Sequence, residues 1–309
     1  MRSRQRENQP KVSVIVPTYK RNEELARAIE SVVNQTYNDW ELIVINDDPE
    51  TDIGDILPAD NRITHLQHEE NKGAPVARNN GILESNGEYI ALLDDDDKWK
   101  PIKLELQIDR LDQLGEDFGL IYTGRDIIQD SGNVETFIPD KEGWVHKDLL
   151  HQNFIPSETP LIRRECFSCV GLFDPAFQSE QDFDLWLRIA NKYKIGAVHE
   201  SLAVSYKNHE NRISTNQERK YHGRKQLLRK HRSSFESNSI ALSKQQRRVG
   251  LAAVRSGRTL EGATQLMCSF RRDPRNVSLL VYLTMCLFPY PMQERLFKFR
   301  DRIIQQYLS

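Results

Sequence analysis

"YIALLDDDDKW" (89–99) ends an apolar run in four consecutive aspartates, Asp94, Asp95, Asp96 and Asp97, followed by Trp99 and Pro101. Neighbouring carboxylates repel, and burial strengthens the repulsion. Such a run is either a solvated acidic turn or the seat of a cation. On an extended strand residues i and i+2 point the same way. Asp94 and Asp96 would then share one face and Asp95 and Asp97 the other, unless the strand turns first. A second acidic group, Glu180, Asp182 and Asp184, crowds the start of "SEQDFDLWLRIAN" (179–191), whose Leu185, Trp186, Ile189 and Ala190 have helical spacing. Acids in a first turn suit the helix dipole. Their mutual repulsion also raises proton affinity, which suits a carboxylate that takes a proton. The residues alone leave both readings open. Cys166 and Cys169 form one CxxC, while Cys268 and Cys286 stand apart. A zinc site normally takes four ligands and no second pair follows, so the reading is a helical segment with two small half-buried thiols. Nothing resembles a disulfide framework, which fits a reducing cytosol.

The elements that would position these acids alternate. "KVSVIVPTY" (11–19) reads as a buried strand stopped by Pro17. "NEELARAIESVVNQT" (22–36) reads as a helix through Leu25, Ile29, Val32 and Val33, with Asn22 as its N-cap. "WELIVIND" (40–47) is a second strand, "GAPVARNNGILES" (73–85) a helix and "YIALLD" (89–94) the next strand. This alternation predicts a mainly parallel sheet. Thr18 and Tyr19, Asp47, and Asp94 and Asp96 stand at strand ends, the edge where open α/β sheets bind ligands. "IKLELQIDRLDQL" after Pro101 reads as an amphipathic helix, "FGLIYTG" (118–124) as a strand, and 125–160 as loop-rich. "IGAVHESLAVSYKNHE" (195–210) is strand material. From about 217 the pattern is helical and basic, and "LAAVRSGRTLEGATQLMCSFRRDPRN" (251–276) reads as one helical hairpin of tetratricopeptide type.

At 309 residues, 38% hydrophobic and 28% charged, the composition is that of a soluble globular chain with one large domain and an appendage. The net charge of −2 hides an asymmetry: from Asn211 onward stand 20 of the 43 basic but 6 of the 45 acidic residues. That region carries an excess of +14, which suits an anionic surface. "MRSRQRENQP" lacks the apolar core of a signal peptide. "VSLLVYLTMCLF" (277–288) is too short to span a bilayer and reads as a core helix or an interfacial segment.

Four blocks in order, "VSVIVPTYKRNEELARAIESVVNQTYNDWELIVINDDPETD", "GAPVARNNGI", "YIALLDDDDKW" and "QDFDLWLRIA", resemble glycosyltransferase family two, inverting enzymes of the GT-A fold. The similarity spans roughly residues 11–215. The resemblance implies an α/β GT-A domain over 11–215, a mixed, mainly parallel sheet with flanking helices, between a polar tail (1–10) and a basic helical region (216–309). It implies transfer of a sugar from a nucleotide-sugar, with a UDP-sugar expected and GDP- or dTDP-sugars as alternatives, using Mg²⁺ or Mn²⁺. Donor-binding positions would be Pro17, Thr18 and Tyr19 around the base, Asp47 on the base, Arg78 facing the nucleotide, and Asp94 and Asp95. Asp94, Asp96 and His209 would meet the metal, and Asp182 would be the catalytic base. The acceptor would be a saccharide or a lipid-linked saccharide in cell-surface polysaccharide or glycoprotein glycan synthesis. The implied place is the cytoplasm, with peripheral contact of the basic region at the inner face of the membrane and no nucleic-acid partner. The sequence departs from the family at Asn46, at Asp48-Pro49-Glu50 and at Gln181. The alternatives are a nucleotide-sugar-binding scaffold of the same fold without catalysis, and a nucleotidyltransferase. "PTYKRNEE" has no glycine, against the Gly-rich loop of the latter.

Overall fold

A computed structural model of the chain describes residues 9–207 and 216–308. The chain divides into two compact units. The first comprises Met1–Leu149, Asn153–Pro175 and Gln181–His209; the second comprises Leu150–Gln152, Ala176–Glu180 and Glu210–Ser309.

In the first unit, strands β1 (Val12–Thr18), β2 (Trp40–Asn46), β3 (Ile63–Gln67) and β4 (Tyr89–Leu92) alternate with helices α1 (Asn22–Val33) and α2 (Ala74–Glu84). They are followed by β5 (Lys98–Trp99), α3 (Lys103–Gln113), β6 (Phe118–Ile128), β7 (Val134–Phe137), α4 (His146–His151, whose last two residues belong to the second unit), β8 (Leu161–Arg163), α5 (Arg164–Val170), α6 (Gln181–Ala190) and β9 (Lys194–Tyr206). The sheet order is β3-β2-β1-β4-β8-β6-β9-β5, with β7 beside β6. β1, β2, β3 and β4 are mutually parallel, β8 is antiparallel to both β4 and β6, and β6 and β9 are parallel.

Both faces of the parallel half are covered, so β1 is buried at every residue. Val12, Val14 and Val16 pack with Leu25, Ile29 and Val32 of α1 and with Leu104, Ile108 and Leu111 of α3. The alternate residue Ile15, with Ile45, meets α2 closely: a Cβ on Gly81 would stand 2.7 Å from Ile15 and 2.6 Å from Ile45. Helices thus lie on both sides of the sheet. Register pairs Thr18 with Asn46, and Ile15 with Leu92, so β1, β2 and β4 end at one edge.

In the second unit, α7 (Gln217–Lys230), α8 (Arg232–Glu236), α9 (Ser239–Arg255), α10 (Thr259–Arg272), α11 (Ser278–Met285) and α12 (Tyr290–Leu308) follow one another. α9 and α10 form the expected hairpin, and small residues close it. A Cβ on Gly262 would lie 2.4 Å from Val254 Cγ2 and 2.8 Å from the Gly250 carbonyl oxygen. Farther along the seam the buried Ser243 and Ser269 hydroxyls each donate to the other's carbonyl, at 2.9 and 2.8 Å. Val254, Leu266, Leu279, Met285 and Phe297 form the apolar centre. Among the described residues no helix is long and apolar enough to cross a membrane.

Candidate active site

The acidic turn begins earlier than strand alternation predicts. β4 ends at Leu92, and the Asp97 amide donates to the Asp94 carbonyl at 3.1 Å. Asp94–Asp96 therefore follow turn geometry, the alternative to alternating faces that the sequence left open. The like charges are held by cations from two other segments. Arg21 Nη1 lies 2.8 Å from Asp95 and 3.2 Å from Asp96. Arg78 donates through Nη2 to Asp94 Oδ1, and the Ser157 hydroxyl donates to Asp94 Oδ2 at 2.9 Å. Arg27 of α1 donates to the Asp96 carbonyl at 3.0 Å and stacks 4.1 Å above the Tyr206 ring.

Asp95 is the buried centre of this cluster. Its Oδ2 accepts from the Thr18 hydroxyl at 2.9 Å and, more loosely, from the Tyr19 amide at 3.4 Å. Burial pushes its carboxyl up to about 6; Arg21 opposes that shift, and Asp96 adds to it. Thr18 is thereby committed to the acidic turn. Tyr19, the next residue, is 43% exposed at the strand tip, where a ring can stack on a ligand. Arg21 occupies the position before α1, which begins at Asn22, and no side chain caps that helix. Asn22 is thus not the N-cap the sequence suggested, and the Arg21 guanidinium serves the aspartates instead. Lys20, between Tyr19 and Arg21, has φ 57°, a left-handed conformation that reverses the chain there.

Asp47 is spent on the neighbouring loop. Its Oδ1 meets His68 Nδ1 and the Lys72 amide, both at 2.8 Å, and its Oδ2 accepts from the Gly73 amide at 2.8 Å. Gly73 sits at φ 85°, which glycine adopts at no steric cost, and leads into α2 with Pro75 near its start. Direct base contact by Asp47, expected from the sequence, competes with these three bonds. Arg78, on α2, is 7% exposed, and its Nη1 is buried without a hydrogen-bond partner. Such an orphaned donor is costly unless a ligand or water supplies an acceptor.

The acids around the start of α6 have separate fates. Asp184 is fully buried and paired with Arg188, at 3.0 and 2.8 Å, and Arg188 also bonds the carbonyls of Val170, Gly171 and Leu172. Glu180, in the second unit, pairs with Arg224 at 3.0 Å and Arg248 at 3.1 Å. Asp182 is half-buried, and its Oδ2 accepts from Asn153 at 3.2 Å. Two of the three acids are therefore ion-paired anchors. Cys166 is buried and Cys169 exposed in α5, and burial pushes the Cys166 thiol up to about 12. His209 lies outside the described residues.

Sequence reasoning missed Arg21, Arg27, Ser157 and Glu158. Glu158 is buried beside Ser157 and accepts from Arg125 at 2.9 Å and Ser205 at 2.7 Å, while its carbonyl receives the Trp99 indole at 2.8 Å. The "YKR" of 19–21 was the available signal, two cations directly after a strand end. "PSETP" (156–160) carries no periodicity that would mark it.

The model of the family described as "Glycosyl transferase family 2" matches residues 13–170. TuaG of Bacillus subtilis strain 168, a glycosyltransferase named for teichuronic acid biosynthesis, is 34% identical over 213 residues, covering 67% of this chain and 82% of TuaG. WfgD of Escherichia coli, named as a UDP-Glc:alpha-D-GlcNAc-diphosphoundecaprenol beta-1,3-glucosyltransferase, is 33% identical over 208 residues, covering 66% and 80%. Among solved structures, the mannosyltransferase PcManGT of Pyrobaculum calidifontis in complex with GDP-Man and Mn²⁺ is similar, with a TM-score of 0.59, 16% identity and coverage of 94% of this chain and 84% of that one. The fold is GT-A, and the chain belongs to glycosyltransferase family 2.

Proposed function

We propose that this glycosyltransferase moves a sugar, with inversion, from a UDP-sugar to a saccharide or lipid-linked acceptor in the synthesis of cell-surface polysaccharide or glycan. One observation carries the reading: three acids and two arginines converge at the carboxyl ends of β1 and β4. Asp94 and Asp96 are hard oxygen donors, which suits Mg²⁺ or Mn²⁺. Among the described residues no group of three metal-ligating side chains is assembled. A donor set of one or two carboxylates fits a cation that takes its other ligands from phosphate and water. Asp94 and Asp96 would hold it, and when bound it neutralises the departing diphosphate.

The chain's own residues supply the rest. The orphaned Nη1 of Arg78 is a donor for a phosphate oxygen, and the exposed Tyr19 ring offers a face for the nucleobase. Asp47 acts through the loop that it ties. Asp182 accepts the proton of the acceptor hydroxyl as its oxygen bonds to the anomeric carbon. The bond from that carbon to the diphosphate oxygen breaks, and the nucleoside diphosphate leaves. WfgD is named for UDP-Glc and the PcManGT structure holds GDP-Man, so the donor base is the point to test. A panel of UDP-, GDP- and dTDP-sugars with Mn²⁺, read by mass spectrometry, should give transfer from UDP-sugars. Transfer from GDP-sugars alone would reassign the base.

We also infer peripheral contact with an anionic membrane. Leu280, Val281, Leu287, Phe288, Met292 and Phe299 are exposed within the region that carries the basic excess. Apolar and basic residues together favour an anionic interface. Flotation with phosphatidylglycerol vesicles should carry the protein; absence of binding at low salt would exclude it.

A further inference from the structure

The second unit contains a cavity of about 260 Å³ lined by Lys220, Arg224, Arg247, Arg248, Arg255 and Arg300, with Gln217 and Tyr282 among its other walls. Helical spacing puts the cations there. Gln217, Lys220 and Arg224 stand at i, i+3 and i+7 along α7, and Arg248, Leu251 and Arg255 at i, i+3 and i+7 along α9. α11 and α12 contribute Tyr282 and Arg300, which bond to each other. All six cationic residues are half-buried. No aspartate or glutamate lines the cavity among the described residues, although Glu180 pairs with Arg224 and Arg248.

Six cationic side chains share these walls and repel one another, and Glu180 offsets Arg224 and Arg248. Burial, then Arg224 and Arg255, lower the proton affinity of Lys220; burial, then Arg248 and Arg255, lower that of Arg224, with Glu180 opposing in both cases. None of these residues is among those assigned above to sugar transfer. Guanidinium forks match phosphoryl oxygens in geometry as well as charge, so these walls suit a compact polyanion.

We propose that this cavity is a binding site for a phosphoryl anion, a phosphate or diphosphate group, separate from the nucleotide-sugar site. The group can belong to a soluble phosphate or to the head of a lipid.

The test uses the whole chain in EDTA. Titration with inorganic pyrophosphate should give one site. Lys220→Gln with Arg247→Gln should weaken it about a hundredfold, near tenfold for each lost charged contact. Lys220→Arg should bind as the parent does. So should Lys225→Gln, because Lys225 pairs with Glu261 and is not part of the lining. Vesicles of phosphatidylcholine with phosphatidic acid separate the sources. Binding to them that the double variant loses and pyrophosphate competes away assigns a lipid head. Pyrophosphate binding without it assigns a soluble phosphate. A second readout needs no variant: pyrophosphate should protect Lys220 from acetylation by acetic anhydride, seen by peptide mass spectrometry. Unprotected Lys220, or a double variant that binds both probes like the parent, overturns the proposal.

Discussion

Asp182→Asn should abolish transfer and spare the donor. The amide keeps the side chain's size, and its oxygen can still accept the Asn153 bond now made at 3.2 Å. Replacing the charged acceptor by a neutral one in that half-buried bond costs under about 1 kcal/mol, within the ordinary range for one hydrogen bond. What the variant cannot do is take a proton. A lost general base commonly lowers the rate by about 10²–10⁴, equal to about 3–5 kcal/mol of barrier. Rescue by a neighbouring acid would shrink that loss, but both sequence neighbours are committed. Asp184 is fully buried under Arg188, and Glu180 is held by Arg224 and Arg248. The full loss should therefore appear. The assay is sugar transfer to the acceptor beside UDP affinity with Mn²⁺ on the same preparation. Near-normal transfer would refute the assignment, and a parallel fall in UDP affinity would make Asp182 a structural residue.

Asp96→Ala should remove the Mn²⁺ dependence of UDP binding in calorimetry, whereas affinity with unchanged metal dependence would dismiss Asp96 as a ligand. Arg21→Ala strips the cation from a 7%-exposed Asp95 carboxylate and should cost about 2–4 kcal/mol in urea unfolding, because a buried charge then lacks its partner. Gly262→Ala forces a Cβ to 2.4 Å from Val254 and should destabilise the α9–α10 seam by about 1–3 kcal/mol, measured by thermal unfolding. Iodoacetamide at pH 8 should label the exposed Cys169 and leave Cys166 unmodified until the protein unfolds, since burial holds the Cys166 thiol near 12; equal labelling of both in the folded chain would contradict this.

The parallel half of the sheet was legible because its signal is local. Valine and isoleucine runs alternate with helical spacing from Val12 to Leu92, and their polar ends share one edge. The pattern of α6 was equally plain. What the pattern lacked was long-range pairing. Arg21 reaches Asp95 across 74 residues and Ser157 reaches Asp94 across 63, and no periodicity encodes either bond. Nor does local spacing reveal that β8, three residues long, inserts antiparallel between β4 and β6. The early stop of β4 followed from tertiary forces as well. Arg21 and Arg78 compensate the crowded acids, so the run can leave the strand and still be buried. The same limit applies to the three acids near residue 180, which look alike in sequence and differ in the partners that long-range packing brings to each.

The insertion of β8 has a consequence for how the polypeptide is made. A ribosome releases the chain from its N-terminus, and the first hundred residues already contain β1, β2, β3, β4, Arg21, Arg78 and the acidic turn. The open side of β4 must wait for Leu161, Ile162 and Arg163, and β6 must wait for β9, as far as Tyr206. For much of its synthesis the nascent chain therefore displays a bare strand edge beside a half-built site, the kind of surface that pairs with other chains. Elongation speed and chaperone supply act on that interval. Yield of folded enzyme in a cell should follow them more closely than it follows the stability of the finished protein.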